Sequence, residues 1–258
     1  MIGIDEETLA DDLRSLGVPR GGVLLVHMSL REVGWVDGGP MAVIQAFRKA
    51  LGPEGTLVMP AATGARRDEP FDPRFTPTRG MGAVAERFWR EPGALRSNHP
   101  TSSMAAEGPR AEEIVREHPL NEPAGPHSPV GKVYDLDGWV LLLGVDQTAN
   151  VTVHLGEHLG GAPYRVKQWA TVWQGDKTAH RTLEVIEHCH RGFARVEEPL
   201  RDRAPVYEGL VGQARAVLVR SRDVAETAAE LVRENPTVFL CARGSGCVEC
   251  DEAWASIR

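Results

Sequence analysis

The chain has 258 residues, enough to bury a substantial core as one large domain or as a domain with an appended lobe, so a peptide module is excluded. Its 42% hydrophobic and 25% charged content, with 27 glycines and 18 prolines, is that of a globular chain, not of a disordered, collagen-like or coiled-coil one. Lys and Arg number 29 against 36 Asp and Glu; the formal charge of -7 and the scatter of the basic residues argue against nucleic acid or anionic membrane as partners and leave cationic substrates open.

Gly3, Asp5, Glu6 and Glu7 lack the basic and apolar character of a secretory signal, and no apolar run approaches the roughly 18 to 20 residues that cross a bilayer. A cytoplasmic location is therefore expected, and the glycosylation match at Asn150-Val151-Thr152 carries no meaning there. Leu9, Leu13 and Leu16 at helical spacing predict a helix over residues 8–16, closed by Gly17-Val18-Pro19. The apolar run 23–26 reads as a buried strand, 39–51 as a helix and 56–59 as a second strand. Residues 61–79 carry Pro70, Pro73 and Pro77 and read as a surface lid or substrate loop. A helix over 81–90, a short strand region over 94–99 and a helix over 110–117 follow. Trp139-Val140-Leu141-Leu142-Leu143-Gly144 has no polar interruption and reads as a central strand; the polar loop 145–150 leads from it into a helix beginning near Thr152. Residues 165–173 and 177–186 read as antiparallel strands, 211–219 as another strand and 223–234 as a helix. The fold class is α/β, a central mixed sheet with flanking helices and an antiparallel section in the second half.

Strand, polar loop and helix is the setting in which open α/β sheets place ligands. His154 and Glu157 stand three apart on that helix, so their side chains share a face; a carboxylate there orients an imidazole and suits it to general base work. Thr152 adds a hydroxyl two residues earlier, and His158 could join His154 on a metal, with no third ligand that spacing identifies. His27 and Ser29 end the first strand; His27 reads equally well as a core histidine, and Ser29 as a cap or a donor to a ligand oxygen. Pro100 biases His99 toward extended backbone and an exposed ring. Dinucleotide and P-loop glycine patterns are absent, and none of Ser103, Ser128 or Cys189 sits in a nucleophile elbow. The four cysteines, Cys189, Cys241, Cys247 and Cys250, fit reduced thiols or a zinc site better than disulfides; Cys189 or His190 would complete a set of four ligands, and buried thiols packed as small hydrophobes are the alternative.

An ordered series of segments resembles the aminoglycoside 3-N-acetyltransferase family of antibiotic N-acetyltransferases over about residues 13–231. It runs from Gly21-Gly22-Val23-Leu24-Leu25-Val26-His27-Met28-Ser29-Leu30 and Gly38-Gly39 through Leu51-Gly52-Pro53-Glu54-Gly55-Thr56-Leu57-Val58-Met59-Pro60. Pro92-Gly93-Ala94-Leu95-Arg96-Ser97-Asn98-His99-Pro100, Ser103-Met104-Ala105-Ala106-Glu107-Gly108 and His127-Ser128-Pro129-Val130-Gly131-Lys132 follow. Leu141-Leu142-Leu143-Gly144-Val145, Asn150-Val151-Thr152-Val153-His154-Leu155-Gly156-Glu157 and Val211-Gly212-Gln213-Ala214 complete the series.

The resemblance implies one acetyltransferase-like domain over residues 1–258 with a cysteine-containing C-terminal tail at 241–258. It also implies acetyl-coenzyme A as cofactor and a small-molecule amine as acceptor, the 3-amino group of an aminoglycoside or a related amino sugar. By position His154 resembles the catalytic base, Glu157 its carboxylate partner and Thr152 a residue close to the acetyl thioester, while Ser29, Leu30, His99 and Met59 resemble parts of the cofactor cleft. Arg66 and Arg67 depart from a cation-binding wall unless Asp68 and Glu69 offset them, and Gly156 stands where alanine is more usual, at a cost of up to about 1 kcal/mol in helix propensity. A metal-dependent hydrolase using His154, His158 and the cysteines, and a noncatalytic acyl-coenzyme A-binding protein, are the competing readings.

Overall fold

The computed structural model describes residues 3–63 and 69–257; Arg66, Arg67 and Asp68 lie outside the described residues. In chain order the elements are α1 (Glu6–Leu16), β1 (Val23–Met28), α2 (Leu30–Val33), α3 (Gly39–Leu51), β2 (Thr56–Pro60), α4 (Gly82–Phe88), β3 (Leu95–Arg96), β4 (Met104–Glu107), α5 (Ala111–Val115) and α6 (Pro129–Asp135). They continue with β5 (Trp139–Leu143), α7 (Thr152–Gly160), β6 (Val166–Gln174), β7 (Lys177–Val185), α8 (Glu197–Arg203), β8 (Tyr207–Val211), β9 (Ala214–Arg220), α9 (Ser221–Glu234) and α10 (Val248–Ser256), with 3-10 helices at Gln147–Ala149 and His190–Val196.

Seven strands form the central sheet in the order β3-β4-β2-β1-β5-β9-β8. Its middle is parallel, β1 pairing with β2 and β5, and its flanks are antiparallel, so the sheet is mixed as the sequence predicts. Leu24 and Val26 of β1 pack into the core shared with α1 and α3, whereas Val23 and Leu25 face the core shared with α7 and α9. Burial on both faces explains why this strand is a continuous apolar run and not an alternating one. Each such side chain contributes about 1.5–3 kcal/mol relative to an exposed one. Among the described residues no helix is long and apolar enough to cross a membrane.

Several expectations need correction. Residues 211–219 are not one strand: Gly212, at φ 60°, and Gln213 turn the chain between β8 and β9, which pair antiparallel. β6 and β7 pair antiparallel as expected but form a separate two-stranded sheet. The 61–79 segment, where described, is a surface loop as expected, with Arg74 and Phe75 exposed, but part of it is anchored to the core. Phe71 is buried, and the Arg96 guanidinium donates to the carbonyls of Ala61 and Thr76 and lies over the Phe71 and Trp89 rings. The cysteine-bearing end is structured too, as α10, with Cys250 and Ala253 in the core.

Gly156 serves packing, which reverses its reading as a mild propensity defect. Its face of α7 lies so close to α9 that an added Cβ would stand 2.3 Å from the Ala228 Cβ and 2.7 Å from the Ala225 carbonyl oxygen. Gly156→Ala is therefore expected to destabilise the fold by about 1–3 kcal/mol despite alanine's better helix propensity, through the forced separation of the two helices. Urea unfolding measures this, and an unchanged or raised midpoint would contradict it.

Candidate active site

The parallel strands β1 and β5 end side by side, where the Ser29 backbone N–H donates to the Leu143 carbonyl at 2.9 Å. Beyond β5 the chain passes through the 3-10 helix 147–149 into α7. Asn150 fixes that junction: its Oδ1 accepts the Thr152 N–H at 3.1 Å and its Nδ2 donates to Gln147 Oε1 at 2.8 Å. Asn150 is fully buried and engaged, so its match to a glycosylation signal has no structural counterpart. The side chain thus occupies backbone groups at the helix start and orients the first turn, which carries Thr152 and His154.

His154 and Glu157 meet as their spacing predicts, the His154 Nδ1–H donating to Glu157 Oε2 at 2.5 Å, with both residues buried. Two groups from distant sequence share the other carboxylate oxygen. His188 Nε2 donates to Glu157 Oε1 at 2.7 Å, and the Tyr164 hydroxyl donates to the same atom. His188 Nδ1 also donates, to the Cys189 carbonyl at 2.8 Å. Both ring nitrogens of His188 face acceptors only, so the ring carries two protons and is an imidazolium paired with the Glu157 carboxylate.

The electrostatics agree. Burial by itself would push the Glu157 carboxyl up, but the imidazoles of His154 and His188, both hydrogen-bonded to it, hold it well below the usual carboxylate range. Burial opposes charge on His188, yet its hydrogen bond and attraction to Glu157 leave its pKa raised. The Tyr164 phenol is pushed far up by burial and then by the adjacent carboxylate, so it stays a donor. His188 therefore supplies the counter-charge of the buried carboxylate, while His154 is held through Nδ1 with its Nε2 left to act. That Nε2 faces His190 Nε2 at 3.1 Å. His190 stacks on Phe193 with centroids 4.7 Å apart and is kept neutral by burial and by His154 beside it, its pKa pushed down to about 3.

Thr152 is fully buried, and its Oγ1 has no hydrogen-bond partner. Ser29 and Leu30 lie at the mouth of the sheet, where Ser29 makes no side-chain cap on α2. A cleft of about 590 Å³ opens at this end of the sheet, lined among others by Glu32, Gly144, Asp146, Gln147 and Arg215. A second cavity of about 710 Å³ is lined by His188 and His190 together with Glu187, Glu249, Glu252, Lys167 and Arg191.

Ser29, Leu30, Thr152, His154 and Glu157 line neither of these two cavities, and the remaining residues expected in the cofactor cleft are interior. Met59 packs in the core beneath α3 and α4 at 1% exposure. The His99 ring is fully buried, contrary to the exposure predicted from Pro100: its Nδ1 accepts the Ser102 N–H at 3.0 Å and its Nε2 lies 3.3 Å from the Leu120 carbonyl. His27 is a buried histidine of β1. His158 stands apart from the cluster of His154, Glu157 and His188, and burial pushes its pKa down to about 4. The hydrolase reading needed His158 beside His154, but His154 Nδ1 and both Glu157 oxygens are taken up by hydrogen bonds among His154, Glu157, His188 and Tyr164, and His158 is outside that group. The four cysteines do converge, their sulfurs all within 4.8 Å of one another. Sequence reasoning missed His188 and Tyr164, and it weighed His190 only as a metal ligand; no periodicity links these positions to residue 157.

The family model for aminoglycoside 3-N-acetyltransferase matches residues 25–233. This chain belongs to that family. Aminoglycoside N(3)-acetyltransferase IV of Salmonella sp is 45% identical over 233 residues, which cover 90% of this chain and 88% of that protein. Among solved structures, the H154A mutant of aminoglycoside acetyltransferase AAC(3)-IVa in complex with a gentamicin superposes with a TM-score of 0.93 at 43% identity, covering 100% of this chain and 99% of that one. The family member AAC-IIIb in its binary complex with CoASH superposes with a TM-score of 0.83 at 27% identity, covering 90% of this chain and 97% of that one.

Proposed function

We propose that this chain is an acetyl-coenzyme A-dependent N-acetyltransferase acting on an amine of an aminoglycoside, its 3-amino group, or of a related amino sugar, by direct transfer in a ternary complex. The observation that carries the reading is the buried His154–Glu157–His188 array, in which Nδ1 of His154 is held by a carboxylate already neutralised by an imidazolium. Such an imidazole is fixed in one tautomer and takes a proton on Nε2 alone.

The residues present fit an acyl thioester: the unpartnered buried hydroxyl of Thr152 stands two residues before the base, and a cleft lined by Glu32, Gly144 and Gln147 opens at the end of the sheet where β1 and β5 finish. When bound, acetyl-coenzyme A supplies an activated acyl group with a thiolate leaving group. His154 Nε2 removes the proton of the attacking amine, moving off its contact with His190 to do so. Thr152 Oγ1 donates to oxygen as negative charge develops there. Glu157 holds the imidazolium that results. The cavity beside His188 and His190 carries the carboxylates Glu187, Glu249 and Glu252 among Lys167 and Arg191, a mixed charged lining in which the carboxylates can pair with an ammonium-bearing acceptor. AAC(3)-IVa, the relative captured with a gentamicin, carries its alanine substitution at a histidine of the same number, which supports both the acceptor class and the role of His154. Four free cysteines suit a reducing, cytoplasmic compartment, and the whole chain, with its cysteine-bearing end in the core, acts as one unit.

The test is thiol release from acetyl-coenzyme A with kanamycin, gentamicin, neomycin and a panel of amino sugars, the acetylated product being identified by mass. Turnover on the antibiotics is expected; coenzyme A binding with no turnover on any amine would favour a noncatalytic acyl-coenzyme A-binding protein instead. Thr152→Val tests the donor. It replaces a buried, unpaired hydroxyl by an isosteric methyl, so stability should stay within about 1 kcal/mol or rise. kcat should fall about 10²-fold with little change in KM. An unchanged kcat would remove Thr152 from the reaction.

A further inference from the structure

The four cysteines take no part in the acyl transfer. They come from three separate parts of the chain: Cys189 follows His188, Cys241 ends the segment after α9, and Cys247 and Cys250 stand at the N-terminus of α10. All four are free thiols, and all four sulfurs lie within 4.8 Å of one another. Cys189 Sγ is 3.4 Å from Cys241 Sγ and 3.5 Å from Cys250 Sγ. These separations are far beyond the S–S bond of about 2.05 Å. A tetrahedral zinc with Zn–S bonds of about 2.3 Å holds its sulfurs about 3.8 Å apart.

The surroundings suit metal-bound thiolates. The Cys241 backbone N–H donates to Cys250 Sγ at 3.4 Å, and the Arg191 guanidinium, a positive charge, stands beside the Cys189 and Cys247 thiols. The loop between Cys241 and Cys247 turns back on itself, with Ser245 N–H donating to the Ala242 carbonyl at 3.1 Å and Gly244 N–H to Asp251 Oδ1 at 3.0 Å. Packing of small hydrophobes alone gives no reason for four sulfurs from three segments to face one another.

We propose that Cys189, Cys241, Cys247 and Cys250 bind one structural zinc ion as a tetrathiolate. The thiol protons leave to solvent as the metal binds, and four protein sulfurs leave no open coordination position, so the ion takes no part in the chemistry. Its place gives it a purpose. Cys189 is the peptide neighbour of His188, which bonds Glu157, and of His190, which faces His154; the metal ties that tripeptide to the C-terminal helix and holds both rings against the active site.

The full-length protein, purified without added metal or chelator, is expected to carry close to one zinc per chain by plasma mass spectrometry. Its four thiols should be slow toward a disulfide reagent until the protein is denatured with a chelator present, and a mercurial, as it captures the thiols, should release the zinc to a metal-sensitive dye. Cobalt replacement should give the thiolate-to-metal charge-transfer bands of a tetrahedral sulfur site, and metal removal should lower the thermal midpoint by about 5 °C or more. Four freely reactive thiols with no zinc retained after incubation with zinc and desalting would overturn the proposal. So would a cobalt spectrum lacking thiolate bands, which would place the metal on His154, Glu157 and His188. Cys247→Ser serves as a second readout, expected to lose the stoichiometric zinc; if the variant does not fold, the wild-type metal content and cobalt spectrum still decide.

Discussion

His154→Ala is expected to lower kcat by about 10³- to 10⁴-fold, the upper range for loss of a positioned general base. The reason lies in the connectivity of the ring. Nδ1 is committed to Glu157, so Nε2 alone can accept a proton, and neither neighbour can replace it: His188 has both nitrogens donating, and His190 lacks the carboxylate that orients His154 and stays opposed to protonation by burial. The fold should tolerate the change, because Glu157 keeps His188 and Tyr164 as partners and no buried charge is left alone. Calorimetry should therefore show coenzyme A affinity within a factor of about two. A variant that turns over like the wild type would remove His154 as the base.

The second large effect is expected at Glu157, and here activity and stability fall together. In Glu157→Gln the amide cannot neutralise the His188 imidazolium and cannot accept from all three of its donors at once. A buried cation left uncompensated costs about 3–5 kcal/mol, which urea unfolding at neutral pH should reveal. Loss of the tautomer lock on His154 should reduce kcat by about 10²- to 10⁴-fold. The pH dependence has a definite sign. Glu157 has its folded pKa depressed below its ordinary value of 4.5, so its contribution is present above that value and is lost as the pH falls toward the folded value. The stability gap between wild type and Glu157→Gln should therefore be widest near neutrality and narrow progressively below pH 4.5. A gap independent of pH would mean that the carboxylate is not ionised in the folded protein.

The array also divides labour among histidines that look alike in sequence. His154 and His188 both touch Glu157, but only His188 has acceptors on both nitrogens, and only His154 has a nitrogen directed toward another imidazole. The cysteine cluster fixes the tripeptide that carries two of these rings, which links the C-terminal helix to the geometry of the base.

What the sequence determined by itself was whatever one segment's own periodicity encodes. The i, i+3 spacing put His154 and Glu157 on one helical face, and the unbroken apolar runs gave the parallel strands β1 and β5, buried on both sides by helices. The ordered series of segments was enough to assign the family. Tertiary structure alone decided the rest, because side chains 7, 31 and 36 residues away in the chain meet only after the sheet and its flanking helices have closed. That is how Tyr164, His188 and His190 reach the base, how four thiols from three segments come together, and why Met59 and His99 end in the interior. Gly156 shows the same division: its helix propensity is a local property and reads as a defect, whereas its purpose, the close approach of α7 to α9, exists only between elements.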